Sequence, residues 1–488
     1  MRTTDIRTGS RPVESARRTR VRRTRDPRRA ALVVLTAAAL MTILDGNVVT
    51  VAMPAIQADL GFTPAGLAWV VNAYLIPFGG LLLLAGRLGD LVGRKRMFTS
   101  GLAVFTAASL FAGIATQPWT LIAARALQGV GGAMTSAVVL GMLVALFPGA
   151  REQAKAIAVF SAAGAAGGAL GTFLGGALTQ LLGWNWIFLI NLPIGAVALV
   201  AAFRVLEADR GKGLRAGADF PGAALITGAL MLTVFTIVEA GTHAGTTTAA
   251  LAVLASALLA AFVVRQARAA RPLVRLGLFR SRSLSGANAI QVLMIAGMYG
   301  FQFIGALYLQ QVLGYDELLT GVAFLPAPVV IGVLMLGLSA RMIGRFGAHR
   351  VLPAGLALIV AGLALLGRAP AEGAYVVDVL PALLLLGGGF AAAMPAVTAL
   401  AMAGVRKEDA GLASGLFSTT QVVGGSLGLA VLTTLAASRT RSLTGGGASS
   451  VAALNSGFQL AFWVAAGVVA VGLVAAVLVL HRVRPLAH

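Results

Sequence analysis

Apolar residues fall in long blocks from Ala30 to Leu480, with charged residues gathered in the short breaks between them. Alternation would mark half-buried strands, and a three-to-four spacing would mark amphipathic helices. Blocks of about 20 residues instead match the hydrocarbon thickness of a bilayer once coiled as helix. Lipid offers backbone groups no hydrogen-bond partner, so such a block crosses as an α-helix. The pattern predicts spans near 30–53, 66–86, 97–116, 119–143, 155–180 and 186–204, a pair near 220–240 and 249–266, and a further set near 284–312, 318–340, 350–367, 376–404, 411–437 and 457–480. The expected fold class is an all-α polytopic membrane protein with 14 transmembrane helices arranged 6 + 2 + 6.

The charges give this string of helices a direction. If the N-terminus is inside, the inner segments are 1–29, 87–96, 148–155, 204–215, 265–282, 341–350, 405–409 and 481–488, and they hold 34 of the 38 Lys and Arg. The outer loops hold Arg368, Arg439 and Arg441, and Arg125 lies within a span. Basic residues collect on the cytoplasmic side, so both termini are expected there. A formal charge of +21 would otherwise suggest nucleic acid as a partner. Its confinement to alternate loops speaks for topology, and no nucleic acid is expected. The basic tail 1–29 suits anionic headgroups, at about 1 kcal/mol per basic residue near the surface. Arg28 and Arg29 followed by Ala37-Ala38-Ala39 imitate a signal peptide, but the apolar run continues to Met53. With no cysteine, disulfides and thiolate metal sites are excluded, and His243 and His349 have no metal-site spacing. Arginine outnumbers lysine 34 to 4, which fits a bacterium with a GC-rich genome.

The two sets of six repeat each other. Shifted by 257 residues, Phe160-Ser161, Gly167-Gly168 and Leu170-Gly171 fall on Phe417-Ser418, Gly424-Gly425 and Leu427-Gly428. A shift of 254 lays Gly86 to Arg96 on Ala340 to Arg350, keeping an arginine, the central glycine and the last arginine. Duplication explains two matches at nearly one offset. The domains follow: a tail 1–29, an N-terminal six-helix bundle 30–204, linkers 205–283 with helices 220–240 and 249–266 inserted, a C-terminal six-helix bundle 284–480, and a tail 481–488.

Within the spans, few residues carry charge. Asp45 lies in the first, where a carboxylate costs at least about 2.5–3.5 kcal/mol on insertion scales and must face a cavity or a partner. It is the first choice for a proton carrier; an aspartate that ties neighbouring helices is the alternative. Arg125 in the fourth span needs a cavity, carbonyls or a carboxylate, with Gln128 one turn on along the same face. It could steer Asp45 or simply hold helices together. Gly164, Gly167, Gly168, Gly171, Gly175 and Gly176 give the fifth span small residues that admit a second helix at backbone distance. Between the second and third spans, Gly86 to Arg96 carries five charges in eleven residues and is expected as a tight hairpin at the cytoplasmic surface. With Gly86 and Gly93 in the turn, its Asp90, Arg94, Lys95 and Arg96 are expected to form an ion network at the cytoplasmic ends of neighbouring helices, or an anchor that sets topology. Gln291, Met298, Tyr299, Gln302 and Met394, with Asn47 and Gln128, are candidates for a substrate cavity, since aromatic and methionine side chains make adaptable walls. Plain packing is their alternative.

Several of these stretches together resemble one family. GRLGDLVGRKR at Gly86 to Arg96 is similar to the loop between spans two and three of major facilitator superfamily transporters, and the resemblance implies that Gly86, Asp90, Gly93, Arg94, Lys95 and Arg96 form a latch that favours one conformer. LDGNVVTVAMP at Leu44 to Pro54 resembles the LDxTVVNVALP element of the branch with fourteen spans, and RALQGVGGA at Arg125 to Ala133 resembles RxxQGxGxA. The fifth-span glycines resemble an antiporter element ending GPxxGG, with Thr172 in place of the proline. WNWIFLINLPIG at Trp184 to Gly195 resembles WRWIFLINLPIG, with Asn185 in place of the arginine. The resemblance implies the major facilitator fold, and a drug:proton antiporter of the EmrB/QacA type. Such a protein exports amphipathic drugs or antibiotics by alternating access, as a monomer in the bacterial inner membrane. Asp45 and Arg125 would couple to protons, with no cofactor, no metal and no enzymatic activity. A proton-coupled importer on the same fold and a membrane sensor without transport are the rival readings.

Overall fold

The computed structural model describes residues 27–63, 66–147, 149–207, 209, 211, 213, 217–240, 245–270, 272–335, 338–403 and 410–480. The tail expected to meet anionic headgroups and the end 481–488 lie outside the described residues, apart from 27–29. The first four helices are α1 (Pro27–Leu60), α2 (Trp69–Val92), α3 (Arg94–Gly113) and α4 (Pro118–Leu146). They are followed by α5 (Ala150–Leu182), α6 (Trp186–Leu189) and α7 (Asn191–Val205). An inserted hairpin consists of α8 (Phe220–Ala240) and α9 (Thr246–Arg268). The second half contains α10 (Arg282–Leu307), α11 (Glu317–Phe324), α12 (Pro326–Met335), α13 (Leu338–Phe346), α14 (Ala348–Leu366), α15 (Leu380–Met402), α16 (Ala410–Gly445) and α17 (Ser450–Ala475). Among the described residues, 12 helical segments are long and apolar enough to cross a membrane. Of the remaining expected spans, α3 opens on three basic residues, and α5 is a single helix of 33 residues, Ala150–Leu182.

Two bundles of like construction result. In the first, α1 packs on α5 and α7, and α4 packs on α2 and α3; in the second, α10 packs on α16 and α17, and α14 packs on α15. Lipid tails are as apolar as leucine, so close backbone approach, rather than burial from water, holds such helices together. A Cβ on Gly171 would stand 3.0 Å from the Leu44 carbonyl of α1, and one on Gly175 2.5 Å from the Val48 carbonyl. A Cβ on Gly167 would also meet α1, 2.9 Å from the Leu40 side chain; at the repeat-related places of Gly167 and Gly171, a Cβ on Gly424 would stand 2.8 Å from the Val292 carbonyl of α10, and one on Gly428 2.3 Å from Ala296. The duplicated glycines thus serve the same contact in each half.

The halves meet along α2 and α16, and through α1 with α10 and α5 with α11. The α8 helix lies against both α2 and α16, with Leu230, Val234 and Val238 packed around Ile76 and Ala430. Asp219 fixes the base of the inserted hairpin. It accepts hydrogen bonds from the Gly222 amide (3.0 Å), Arg265 (2.9 Å) and Gln266 (2.9 Å). Burial opposes ionisation of Asp219, but the hydrogen bonds from Gln266, Arg265 and Gly222 and the Arg265 charge outweigh it and hold the carboxyl below its usual range.

Three expectations about boundaries need correcting. The hairpin expected over Gly86 to Arg96 is helical on both sides of a single residue, Gly93, because its φ of 103° turns the chain alone. In the span expected at 318–340, helices α11 and α12 meet at Leu325, before Pro326, which lacks the amide hydrogen that a continuing helix needs. The loop expected at 341–350 is largely the helix α13, followed by Gly347 with φ of 82°.

Candidate functional site

Asp45, Arg125, Gln128, Asn191 and Ser109 come together from four helices and are fully buried. Arg125 Nη1 donates to Asp45 Oδ2 at 2.5 Å and to Gln128 Oε1 at 2.8 Å, and its Nε donates to the Val70 carbonyl at 2.9 Å. Gln128 Nε2 and Asn191 Nδ2 both donate to Asp45 Oδ1, at 3.1 and 2.9 Å. Ser109 Oγ accepts from Gln128 at 2.7 Å and from Asn191 at 3.4 Å. The guanidinium also lies 4.5 Å from the centre of the Tyr74 ring and 5.6 Å from that of Phe188. Two opposite charges out of water are stable only with such geometry and with their remaining hydrogen-bonding groups satisfied. The three-residue spacing of Arg125 and Gln128 puts both on one face of α4, as the sequence suggested.

The fifth-span glycines place the carboxylate. Gly164 and Gly167 face Ile43, and Gly171 and Gly175 face Leu44 and Val48, so α5 bears on α1 on both sides of Asp45 along the chain. Gly176 instead faces the Glu317 carbonyl of α11, where a Cβ would stand only 2.2 Å away, and a Cβ on Gly168 would meet open space.

Next to Asp45, Gly46 lines a small cavity between the halves with Thr50, Val71, Tyr299, Gln302, Phe303 and Leu429. It has room for about one water molecule. Gln302 Nε2 donates across the interface to Asn47 Oδ1 at 2.6 Å, and Gln310 Nε2 donates to the Val51 carbonyl at 2.9 Å. Of the expected cavity residues, Tyr299, Gln302 and Asn47 therefore gather here. Gln128 does not, being enclosed in the Asp45 network. Gln291 is buried and accepts from Thr420 at 3.3 Å, while Met298 and Met394 are half-buried against the core.

The residues of the second-to-third-span turn engage their own half. Arg94 donates to Asp90 at 3.2 Å and to the Gly141 carbonyl of α4 at 3.0 Å. Asp209, which follows α7, accepts from the amides of Arg94 (2.8 Å) and Lys95 (3.2 Å) and so caps α3. Lys95 Nζ donates to the carbonyls of Phe203, at 3.0 Å, and Leu206. Gly93 lies against Asp209, with a Cβ there only 2.8 Å from its carbonyl, and Arg96 is exposed. A Cβ on Gly86 would make only an ordinary contact, 3.9 Å from Ala137.

Sequence reasoning passed over Asn191, Ser109 and Asp209 as functional residues. Asn191 stood within the WNWIFLINLPIG stretch, and an amide inside an apolar run was the available signal. Ser109 and Asp209 carried none, since a serine in a span and an acid in a linker are common.

Comparison with known proteins accords with this geometry. The profile of the Major Facilitator Superfamily matches residues 35–429. A puromycin resistance protein of Streptomyces alboniger is 37% identical over 451 residues, covering 91% of this chain and 90% of that protein. A cephamycin export protein of Amycolatopsis lactamdurans is 39% identical over 416 residues, covering 84% of this chain and 85% of that protein. In fold, the nucleoside transporter NupG, as a D323A mutant, is similar with a TM-score of 0.66 at 12% identity, covering 91% of this chain and 98% of that one.

Proposed function

Because the chain belongs to the Major Facilitator Superfamily, we propose that it exports small amphipathic drugs or antibiotics from a bacterial cytoplasm in exchange for protons. The substrate binds between the bundles, which rock about it so that the site opens to one side at a time. Fourteen spans, both ends in the cytoplasm, an inner-membrane location and action as a monomer complete the reading. The inserted α8 and α9 supply the two spans beyond the repeated six, and the names of the relatives support export of antibiotics.

The observation that carries the proposal is the buried Asp45–Arg125 pair, 2.5 Å apart and one residue along α1 from the interhalf cavity. A guanidinium keeps its proton, so the carboxylate is the member of the pair able to load and release one. Substrate or water reaching the pair would change that balance, and movement of α1 would carry the change to the cavity. About 100 mV and one pH unit together give each proton roughly 3.7 kcal/mol, enough for a gradient of several hundredfold. One-for-one exchange with a monovalent cation would cancel the charge contribution and leave the pH difference to drive export.

The test uses everted membrane vesicles, energised to an acid interior and given lipophilic cations and aromatic antibiotics. Wild type should release protons on substrate addition, and Asp45→Asn should not. Release that survives the substitution moves the proton site elsewhere. Silence of correctly inserted wild-type protein across the panel leaves a narrow-substrate exporter, an importer or a sensor.

A further inference from the structure

One polar atom in the Asp45 pocket is buried without a partner: Asn191 Oδ1. Its own Nδ2 donates to Asp45 Oδ1 at 2.9 Å. The neighbouring amide, Gln128, cannot turn, because its Oε1 is held by Arg125 and its Nε2 by both Asp45 and Ser109. Asn191 is free of that restraint. A half-turn of its amide would exchange the N–H group facing Asp45 for a carbonyl oxygen. An ionised carboxylate only accepts hydrogen bonds, whereas a protonated one also donates, and a buried O–H left without an acceptor is costly. The pocket otherwise presents donors to Asp45: Arg125 from α4, Gln128 from the same helix, and Asn191 from α7.

We propose that Asn191 is the positioning residue for the proton step, meeting both protonation states of Asp45. With Asp45 ionised, Nδ2 donates to the carboxylate. When a proton adds to a lone pair of that carboxylate oxygen, the amide turns and Asn191 Oδ1 accepts from the new O–H. On release the O–H bond breaks, the proton leaves and the amide turns back. Arg125 remains charged throughout, and Asn191 gains and loses only hydrogen bonds. The titratable or charged groups around the pocket are Asp45 from α1, Tyr74 from α2, Arg125 from α4 and, further off, Tyr299 from α10. From α3 and α7 the groups bonded into the network are the neutral Ser109 and Asn191.

This inference rests on the reading of Asp45 as the proton carrier, and the test separates the two. Substrate-driven proton release and infrared difference spectra on acidification are measured for wild type, Asp45→Asn, Asn191→Leu and Asn191→Thr. The carboxyl stretch assigned to Asp45 is the band that Asp45→Asn removes. In Asn191→Leu that band should move to higher frequency, as for a carboxyl O–H without its acceptor, and exchange should slow about tenfold at unchanged substrate KM. Its pH profile should move to the alkaline side, because the ionised state loses the stronger, charge-assisted hydrogen bond. Asn191→Thr, whose hydroxyl both donates and accepts, should recover much of the rate and the band position. Wild-type band and profile in Asn191→Leu, or equal defects in the leucine and threonine variants, would overturn the assignment of Asn191 alone. Proton release that persists in Asp45→Asn would overturn both readings.

Discussion

Arg125 has no exposed surface, and three of its hydrogen bonds tie it to Asp45, Gln128 and the Val70 carbonyl. Removing one member of a buried pair leaves the other charge unpaired, which costs about 3–5 kcal/mol, whereas removing both leaves only cavities and unmatched amides. Arg125→Leu should therefore unfold in detergent at markedly lower temperature than wild type, and Arg125→Leu combined with Asp45→Leu should regain part of the loss. A double variant no more stable than the single one would mean that packing, and not charge pairing, dominates at this site. At this scale the sequence was informative about chemistry and poor about company. Asp45 and Arg125 stood out because charge inside an apolar run is expensive. Their contact joins residues 80 positions apart, and nothing in either local stretch specifies it.

Among the elements, α5 is the one whose surface decides where α1 stands. Its glycines are not equivalent: Gly175 touches the Val48 backbone, while Gly168 faces space. Gly175→Ala should force α1 and α5 apart and cost about 1–3 kcal/mol as overpacking, with loss of exchange as Asp45 shifts. Gly168→Ala should leave melting temperature and exchange nearly unchanged. Equal effects in the two variants, read by thermal unfolding and vesicle exchange, would show that the close contact does not position α1. The spacing of small residues was legible in the sequence, and so was the matching set in α16. The distinction between a glycine against backbone and one against space was not, because it depends on the rotation of α5 relative to its neighbour.

Among the described residues, hydrogen bonds between the halves outside α2 and α16 join the second half to the parts of α1 and α5 remote from Pro27 and Ala150. Gln302 with Asn47, Gln310 with Val51, and Gly176 with Glu317 hold that side together. In the proposed orientation this is the outer side, so opening outward must break these bonds. The chain has no cysteine, and a single one placed at Thr50, which lines the interhalf cavity, reports on access from outside. Gln302→Leu should raise its rate of labelling by an impermeant maleimide about fivefold, the effect of one hydrogen bond of roughly 1 kcal/mol. An unchanged rate would place the closure on α5 and α11. The inserted hairpin adds a further restraint, since α8 bears on both α2 and α16.

The sequence by itself determined that the chain crosses a membrane as helices and which short stretches carry charge. It also determined that two halves share one plan, because hydrocarbon thickness, the cost of charge in lipid and duplicated glycines are all written in local order. Tertiary structure alone decided that Asp45, Arg125, Gln128, Asn191 and Ser109 form one network, that Gln128 belongs there and not to the cavity, and that Asp209 caps α3. Those relations join helices distant in the chain. They depend on how each helix is rotated and how deeply it is set against the next, which the apolar pattern leaves open when every face can meet either lipid or protein.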